Sequence, residues 1–311
     1  MQKTKSFAAP TRVDSGWRDR LFNIFNDLLC TLILLITIYP IYFVVVASIS
    51  DPVAVVKGNV YLWPKDFTLE AYANVFKESQ IWTGYGNTII YTLFGTLWNL
   101  VLTIPAAYVL SKRDLPGRTI LSWFFFITMY FSGGIVPSYM LYKDLGLLNT
   151  RWACILGAGV NCWNLIVTRT FFTGTIPNEV YEAAEIDGAS EVKTFFSIAI
   201  PLSAAIIAIM ALFYGVEHWN EYFWAMCSLT SRKYYPLQLV LRDILIENQQ
   251  AVRSMENVTA DGAAEAAARK AYMAEVMKYA LIFISAAPML AAYPFVQKYF
   301  VKGVMIGSVK G

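Results

Sequence analysis

The sequence predicts an all-α integral membrane protein with six transmembrane helices, and three observations lead to that prediction. Of the 311 residues, 57% are hydrophobic and 15% are charged, whereas a soluble domain has roughly 45–50% apolar and about 25% charged residues. Aromatic residues, which are enriched at membrane–water interfaces, make up 15% of the chain. Several apolar segments also reach the length of about 20 residues that a helix needs to cross a bilayer while satisfying its own backbone hydrogen bonds.

Six segments meet this length. They cover approximately residues 26–49, 86–110, 119–141, 152–173, 201–229 and 278–300. The first is longer than a signal-peptide core and has no small-residue cleavage site at its end, so we interpret it as a retained span. Gly133 and Gly134 predict a break or kink in the third. The predicted organisation is an N-terminal tail at 1–25, one transmembrane domain at 26–300 and a C-terminal tail at 301–311.

Lysine and arginine residues predict the orientation, since cytoplasmic loops carry an excess of them. They concentrate in the N-terminal tail, in the short turn after the second span and near the C-terminus. With six spans these three stretches share one side, predicted to be the cytoplasm, together with both termini. Two long loops, at about 50–85 and 230–277, then lie outside. The Ala-rich stretch from Ala263 to Met277 predicts a helix that runs directly into the last span.

The loop between the fourth and fifth spans, residues 177–201, predicts two short helices joined by a glycine turn. Pro177 suits the first turn of a helix, and the acidic residues after it favour the positive end of that helix. Gly188 can adopt the left-handed conformation that ends a helix. Ser190 can cap the second helix, which is expected to continue to Pro201. The pair is predicted to project from the cytoplasmic face as a rigid docking element.

The spacing within this loop resembles the EAA motif of binding-protein-dependent ABC importer permeases. A Glu-Ala-Ala triplet is followed, after three intervening residues, by glycine and, after nine more intervening residues, by Ile-Ala-Ile-Pro, in which Ile200 stands where leucine is common. In that family the loop is a coupling helix that seats in a groove of the ATPase subunit. The resemblance therefore implies a coupling role for Glu182, Ala183, Ala184, Asp187, Gly188, Ile198 and Pro201.

The resemblance extends over nearly the whole chain from Asp19 onward. The stretches 133–150, 218–225 and 293–311 look like the carbohydrate-uptake branch of the family, and most like permeases for complex oligosaccharides and polysaccharides. This implies a permease of the type I importer kind in a bacterial plasma membrane, moving an oligosaccharide by alternating access. The implied partners are a second, homologous permease, two copies of a cytoplasmic ATPase and an extracellular sugar-binding lipoprotein.

The chain is not predicted to be an enzyme or to bind a cofactor. It has no GxxxxGK[ST] loop, so ATP and Mg are expected at the partner ATPase. The net charge of +3, without a long basic run, gives no indication of nucleic-acid binding. The four cysteines form no CxxC pair and are interpreted as small apolar residues. No metal site is predicted.

Polar residues of the fifth span are candidates for the substrate path. Glu217, Asn220 and Glu221 are three and four residues apart, which predicts one shared helical face. Together with Trp219 they suit a sugar, because aromatic faces stack on sugar rings and amides bond to hydroxyls. The alternative is that they form hydrogen bonds between helices. For His218, the only histidine of the chain, a packing role is favoured over a proton relay.

The fourth span carries a second candidate cluster, Asn161, Trp163 and Asn164. Asn161 and Asn164 are three residues apart, so both can face the translocation path or can hydrogen-bond to neighbouring helices, and the sequence leaves the two possibilities open.

Two other kinds of transporter remain as alternatives. One is an ABC permease for a different solute, such as peptides or amino acids. The other is a secondary carrier driven by an ion gradient, which predicts inverted repeats or an embedded acidic proton relay. Neither feature is evident in the sequence. Dependence of uptake on ATP hydrolysis separates the ABC permeases from the carrier.

Overall fold

The computed structural model describes residues 16–157, 159–255 and 263–308, and every regular element in these ranges is helical. The all-α prediction is therefore confirmed for this part of the chain. A π-helical turn (Phe195–Ala199) links α10 to α11, and a 3-10 turn (Arg232–Tyr234) precedes α14. The α-helices are α1 (Trp17–Ser48), α2 (Pro52–Val56), α3 (Glu70–Lys77), α4 (Ser79–Ser111), α5 (Arg118–Tyr130), α6 (Ile135–Asp144), α7 (Trp152–Leu156), α8 (Cys162–Thr175), α9 (Asn178–Ile186), α10 (Glu191–Thr194), α11 (Ile200–Leu202), α12 (Ala204–Asn220), α13 (Phe223–Ser228), α14 (Leu237–Met255) and α15 (Ala263–Ser308).

Three described helices are long and apolar enough to cross a membrane on their own: α1, α4 and the 271–291 part of α15. Two bent pairs also pass when each is taken together. The pair α5 and α6 bends by 112°, and the helix at 191–202 bends by 79° against α12. Length and composition therefore give three to five spans for the described residues, which fits a membrane protein, while the count of six remains a prediction.

The ends of the chain differ slightly from the predicted boundaries. Helix α1 begins at Trp17, before the predicted span at 26–49, while residues 1–15 of the predicted tail lie outside the described residues. At the other end, α15 is continuous from the Ala-rich stretch into the last span, as predicted, and extends to Ser308.

Three of the predicted spans are interrupted: the third, at 119–141, where a break or kink was predicted, and the fourth and fifth, at 152–173 and 201–229, where none was predicted. The third breaks between α5 and α6, at the glycine pair where a kink was predicted. The fourth divides into α7 and α8. The fifth stops at Asn220 and restarts as the short helix α13.

Local chemistry accounts for each break. Gly134, Gly157 and Gly159 all have positive φ values, +84°, +37° and +67°, which favour glycine and do not continue a right-handed helix. In the fifth span, Glu221 lies in an extended conformation and its carboxylate accepts a hydrogen bond from the N–H of Trp224 at 2.7 Å. The Glu221 side chain thereby accepts from a backbone N–H in the first turn of α13, which has no acceptor within that helix.

Helix α4 is the central element, and it packs against α7, α8, α12 and α14. Near its beginning, Asn87 donates to two carbonyls of the 233–235 turn at 2.9 and 3.1 Å. Near its end, the Tyr108 hydroxyl donates to Glu191 at 3.0 Å. At 1.5 Å per residue these two contacts are about 32 Å apart, close to the roughly 30 Å of a hydrocarbon layer. The 230–236 segment and the 177–201 loop therefore lie at opposite ends of α4.

Helices α1 and α5 bury little of their apolar surface. In α1 only Val46, Ala47 and Ser48 are buried, and no residue of α5 is buried. Apolar faces of this extent are expected where lipid or another membrane subunit covers them.

A close contact between α4 and α12 involves Gly95. A Cβ atom at this position would lie 2.4–2.8 Å from three ring atoms of His218. Glycine is required because any side chain would overlap the imidazole, and small residues let membrane helices approach closely.

We expect Gly95→Ala to destabilise the protein by about 1–3 kcal/mol, because the added methyl overpacks this contact. The measurement is thermal unfolding in detergent. The matched control is Gly86→Ala in the same helix, where the added atom meets nothing within 4 Å. Combining Gly95→Ala with His218→Ala should restore part of the lost stability. Equal unfolding temperatures for Gly95→Ala and Gly86→Ala would contradict the prediction.

Candidate functional site

A cavity of about 410 Å³ lies at the middle level of α4. All three helix breaks open onto it, since Gly134, Gly157 and Glu221 are among its lining residues. Irregular backbone at membrane depth is tolerated only where it is buried in protein or lines a water-filled space. The cavity is therefore the place towards which the interrupted spans are organised. Its other lining residues are Asn99, Ser132, Ile135, Ser138, Tyr142, Cys154, Asn161, Tyr214, Glu217, His218, Phe223 and Trp224.

Asn161 forms one edge of the cavity and caps α8. Its side-chain oxygen accepts from the N–H groups of Trp163 and Asn164 at 3.0 and 3.3 Å. Its own N–H donates to the Tyr214 hydroxyl at 3.2 Å, and that hydroxyl pairs with Thr103 of α4 at 2.7 Å. The residue is thus fixed by three helices.

His218 and Asn99 form a second network beside the cavity. The Nδ2 group of Asn99 donates to the carbonyl of Gly159, so its Oδ1 faces His218 Nε2, 2.7 Å away. The contact joins α4, α12 and the break in the fourth span, which fits the packing role predicted for the histidine.

An aromatic wall closes another side. The rings of Tyr142 and Trp224 meet edge to face, with centroids 4.9 Å apart. Tyr142 donates its hydroxyl to Gly157 at 2.8 Å, and Trp224 donates Nε1–H to Ala153 at 3.1 Å. Both side chains are therefore held by carbonyls of the broken fourth span and keep their orientation.

The charged groups of the cavity are acidic. Glu217 and Glu221 line it, whereas no lysine or arginine does so among the described residues. Carboxylates accept hydrogen bonds, amides both donate and accept, and aromatic rings offer flat apolar faces. This combination suits an uncharged ligand rich in hydroxyl groups.

Two predicted path residues of the fifth span lie elsewhere. Trp219 is buried against α15 and donates to the carbonyl of Ser285 at 3.0 Å. Asn220 is exposed and bonds to Val216 of its own helix. Of the three residues predicted to share a face, Glu217 and Glu221 both line the cavity, whereas Asn220, the last residue of α12, does not.

Asn164 is also buried away from the cavity, although Asn161 lines it. The two do not share a face, because Asn161 precedes the first residue of α8. Trp163 is 56% exposed and borders a second opening of about 670 Å³ whose lining is mostly apolar.

Sequence reasoning missed the contributions of Tyr142 and Tyr214 to the cavity. The sequence did contain a signal for the cavity residues. Each of them lies near a glycine or polar residue that interrupts an apolar segment, either in its own helix or in a helix that contacts it. The interruptions themselves would have indicated the site.

The 177–201 loop has the predicted helix–turn–helix form. Gly188 has a φ of +69° and donates its N–H to Glu185 at 3.0 Å, while Ala189 donates to Ala184 at 2.9 Å. These two hydrogen bonds form a Schellman motif, a helix C-terminus that favours glycine in the left-handed conformation. Ser190 caps α10 through its hydroxyl, as predicted.

The second helix of the loop departs from the prediction in one respect. Its path to Pro201 is not regular, because the π-helical turn at Phe195–Ala199 widens it before α11 ends at Leu202. Ile198 lies half-buried in this turn, and Pro201 is exposed.

Exposure divides the residues of the EAA motif. Glu182, Ala183 and Asp187 face outward, but Ala184 is only 5% exposed and packs within the chain. Its small size therefore serves internal packing, and Ala183 is the small residue that a partner can approach. Ile186 is 86% exposed, an apolar side chain at the tip of the loop that sequence reasoning did not single out.

A cluster of charged and aromatic residues fixes the loop to α4. Lys112 pairs with Glu191 at 3.2 Å and lies 4.3 and 4.9 Å from the ring centroids of Tyr181 and Tyr108. Burial raises the pKa of the Tyr181 phenol to about 12, so it stays protonated at neutral pH. The loop is thereby joined to the helix whose middle lines the cavity.

Comparisons with known proteins agree with this architecture, although no family model matches the chain. The chain is 38% identical over 292 residues to Protein LplC of Bacillus subtilis (strain 168), covering 94% of this chain and 96% of that protein. It is 36% identical over 294 residues to the polygalacturonan/rhamnogalacturonan transport system permease protein YtcP of the same organism, covering 94% and 100%. A crystal structure of a bacterial ABC transporter involved in the import of the acidic polysaccharide alginate matches with a TM-score of 0.80 and 34% identity, covering 92% of this chain and 98% of that one.

A bundle of interrupted apolar helices around a polar cavity, with a helical turn at one end, defines the chain as a membrane permease. The similarity to these relatives over nearly the full length of the chain identifies the kind of permease. The chain belongs to the carbohydrate-uptake ABC transporter permeases.

We expect Asn161→Ala to lower stability by about 0.5–2 kcal/mol, because α8 loses its N-terminal cap. Asn161→Asp keeps an acceptor oxygen at the same position and should retain most of that stability. Thermal unfolding of both variants in the same detergent checks the difference. The capping role would be refuted by an aspartate variant that loses as much as the alanine variant.

Proposed function

We propose that this chain is the membrane-spanning permease subunit of an ATP-driven importer that carries oligosaccharides or polysaccharide fragments into the cell by alternating access. The observation that carries the proposal is the cavity of about 410 Å³ at the convergence of three helix breaks, lined by aromatic rings, amides and carboxylates. The relatives named for polygalacturonan, rhamnogalacturonan and alginate support a saccharide as the cargo.

The proposed mechanism places the substrate at the mid-membrane cavity. Aromatic faces such as Trp224 stack on sugar rings, while Asn161 and Glu217 bond to hydroxyls. Because the spans are broken at this level, their halves can move separately around the substrate. The binding site then opens first to the outside and afterwards to the cytoplasm.

Coupling to ATP hydrolysis is proposed to run through the 177–201 loop. Ile186 offers an exposed apolar anchor, and the acidic residues around it suit a basic rim on the partner. The Lys112–Glu191 pair and the two tyrosine rings connect the loop to α4, so movement of the docked ATPase would reach the cavity. ATP and Mg are expected at that partner, and this chain is proposed to transmit the ATPase's movement to the cavity.

The proposed assembly has a second, homologous permease, two copies of the ATPase and an extracellular sugar-binding lipoprotein. The exposed apolar faces of α1 and α5 are available to the second permease and to lipid. We place the complex in a bacterial plasma membrane, with six spans in this chain and both termini in the cytoplasm.

Purification in mild detergent from the producing cells, followed by mass spectrometry, tests the assembly. We expect an ATPase and a second membrane permease to accompany the chain, and the reconstituted complex to take up oligosaccharide only with hydrolysable ATP. Uptake that instead follows an ion gradient, in a chain that purifies alone, would establish a secondary carrier and refute the proposal.

Variants of the loop test the coupling. We expect Ile186→Glu and Gly188→Pro to reduce ATP-dependent uptake at least about 10-fold while the protein stays in the membrane. Ile186→Glu removes the apolar anchor, and proline fixes φ near −65° and removes the N–H that closes the turn. The readout is uptake together with the amount of ATPase retained on purification.

The matched control for Ile186→Glu is Leu62→Glu, which places the same charge on a 58% exposed apolar residue in the loop after α2. Wild-type uptake by the Ile186 and Gly188 variants would show that energy enters elsewhere.

A further inference from the structure

The loop between α2 and α3 has an apolar tip, residues 60–64, that contains no charged residue. Val60 begins the tip and is buried in the same core cluster as Val46 of α1. The next three side chains are uncovered, and Trp63, the most exposed of them, is 78% exposed. Tyr61 and Leu62 are the other two. Contiguous exposed apolar side chains of this kind indicate an interaction surface.

The loop that carries the tip is fixed to the end of α1. The N–H of Asp51 donates to the carbonyl of Lys65 at 3.0 Å, and the N–H of Thr68 donates to the carbonyl of Ile49 at 3.0 Å. With Val60 buried as well, both sides of the tip are held by the chain itself. The exposed side chains are therefore presented in a set conformation.

The tip lies back along α1, short of the end of that helix. The Tyr39 hydroxyl donates to the carbonyl of Tyr61 at 3.5 Å, and the Tyr42 hydroxyl donates to the carbonyl of Leu62. Tyr42 and Tyr39 precede Ser48, the last residue of α1, by six and nine residues. This corresponds to about 9 and 13 Å along the helix axis, and helical side chains lean further towards the N-terminus.

The part of α1 beside the tip belongs to a membrane span. Helix α1 is long and apolar enough to cross a bilayer, and Ile41, between the two tyrosines, is 60% exposed. A backbone carbonyl next to lipid has no water to donate to it, so protein must supply the hydrogen bond. Tyr39 and Tyr42 supply it to two successive carbonyls of the tip. The irregular backbone of the tip is thereby compensated in the way that a lipid environment requires.

We infer that the tip inserts into the bilayer at the boundary between acyl chains and headgroups, in the leaflet opposite the 177–201 loop. Tryptophan and tyrosine are enriched at this level of membrane proteins. The nearest charged residues, Lys57, Lys65 and Asp66, are exposed and lie outside the tip. The two lysines can reach lipid phosphates with their long side chains. A protein partner fits less well, because protein interfaces are depleted in lysine.

Quenching of tryptophan fluorescence tests this inference. The chain is purified with the subunits that accompany it and placed in lipid nanodiscs, and the Trp63 signal is the difference between the wild type and Trp63→Phe. The first quencher is phosphatidylcholine with bromine near the headgroup end of one acyl chain, and the second is iodide in the water. We expect the brominated lipid to reduce the Trp63 signal at least about twofold and iodide to reduce it by less than about a tenth, as for an indole among lipids.

The two quenchers also identify the other occupants. Quenching by iodide alone would show that the tip lies in water, and quenching by neither would show that another protein subunit covers it. Either result would overturn the inference. The inference requires that α1 span the membrane and does not depend on the cargo, so it can fail while the proposed function holds.

Variants of α1 test how the tip is held. Replacing Tyr39 and Tyr42 together by phenylalanine leaves two carbonyls without their donors, so the tip should move towards water. We expect the lipid quenching of Trp63 to fall at least about twofold and the iodide quenching to rise, because an unsatisfied carbonyl disfavours the lipid position. The matched control is Tyr130→Phe, which removes a hydroxyl from an exposed side chain of α5. Equal quenching in the two variants would contradict the proposed role of the hydroxyls.

Uptake gives an independent readout. The tip lines neither the cavity nor the 177–201 loop, so uptake by the tyrosine variants should stay within about twofold of the wild type. Leu62→Glu should likewise move the tip towards water without changing uptake, which is why it can serve as the control for Ile186→Glu. Loss of uptake in these variants, with Trp63 still quenched by lipid, would show that the tip acts in transport and does not serve as a lipid anchor.

Discussion

The need to satisfy backbone polar groups inside a membrane governs this structure. A continuous helix satisfies them itself, so each interruption of an apolar segment must be compensated locally. Here Asn161 and Glu221 supply side-chain oxygens to helix starts, while Tyr142 and Trp224 donate to carbonyls freed by the break in the fourth span. The polar groups that compensate the breaks are the same groups that line the cavity. The site is therefore a direct consequence of how the broken spans are stabilised.

Helix α4 connects the cavity to the segments at its two ends. It carries the 233–235 turn at one end, the His218 contact at its middle and the Lys112 cluster at the other end. The individual contacts are modest, since an exposed ion pair contributes about 0–1 kcal/mol. Their importance is geometric, because they hold the cavity and the 177–201 loop at fixed positions along one helix.

Charge is distributed unevenly along the same axis. The surface groove lined by Arg151 and Lys233 is basic, the cavity is acidic, and the exposed tip of the 177–201 loop combines acidic residues with Ile186. Local charges of this kind act mainly on selectivity, since placing like charges together disfavours the wrong ligand. A net charge of +3 conceals this pattern, because contributions of opposite sign from different levels of the molecule nearly cancel.

The sequence by itself determined the all-α membrane class, the helix–turn–helix at 177–201 with its left-handed Gly188, and the permease family, because length, glycine conformation and motif spacing are local properties. It also predicted the break at Gly134. Only the tertiary structure decided that the breaks of three spans meet at one cavity, that Asn161 and Glu221 belong to it while Asn164, Trp219 and Asn220 do not, and that Ala184 is covered while Ile186 is exposed. These depend on where a helix stops and which neighbour packs against it, and helical periodicity cannot assign a face once the helix has ended.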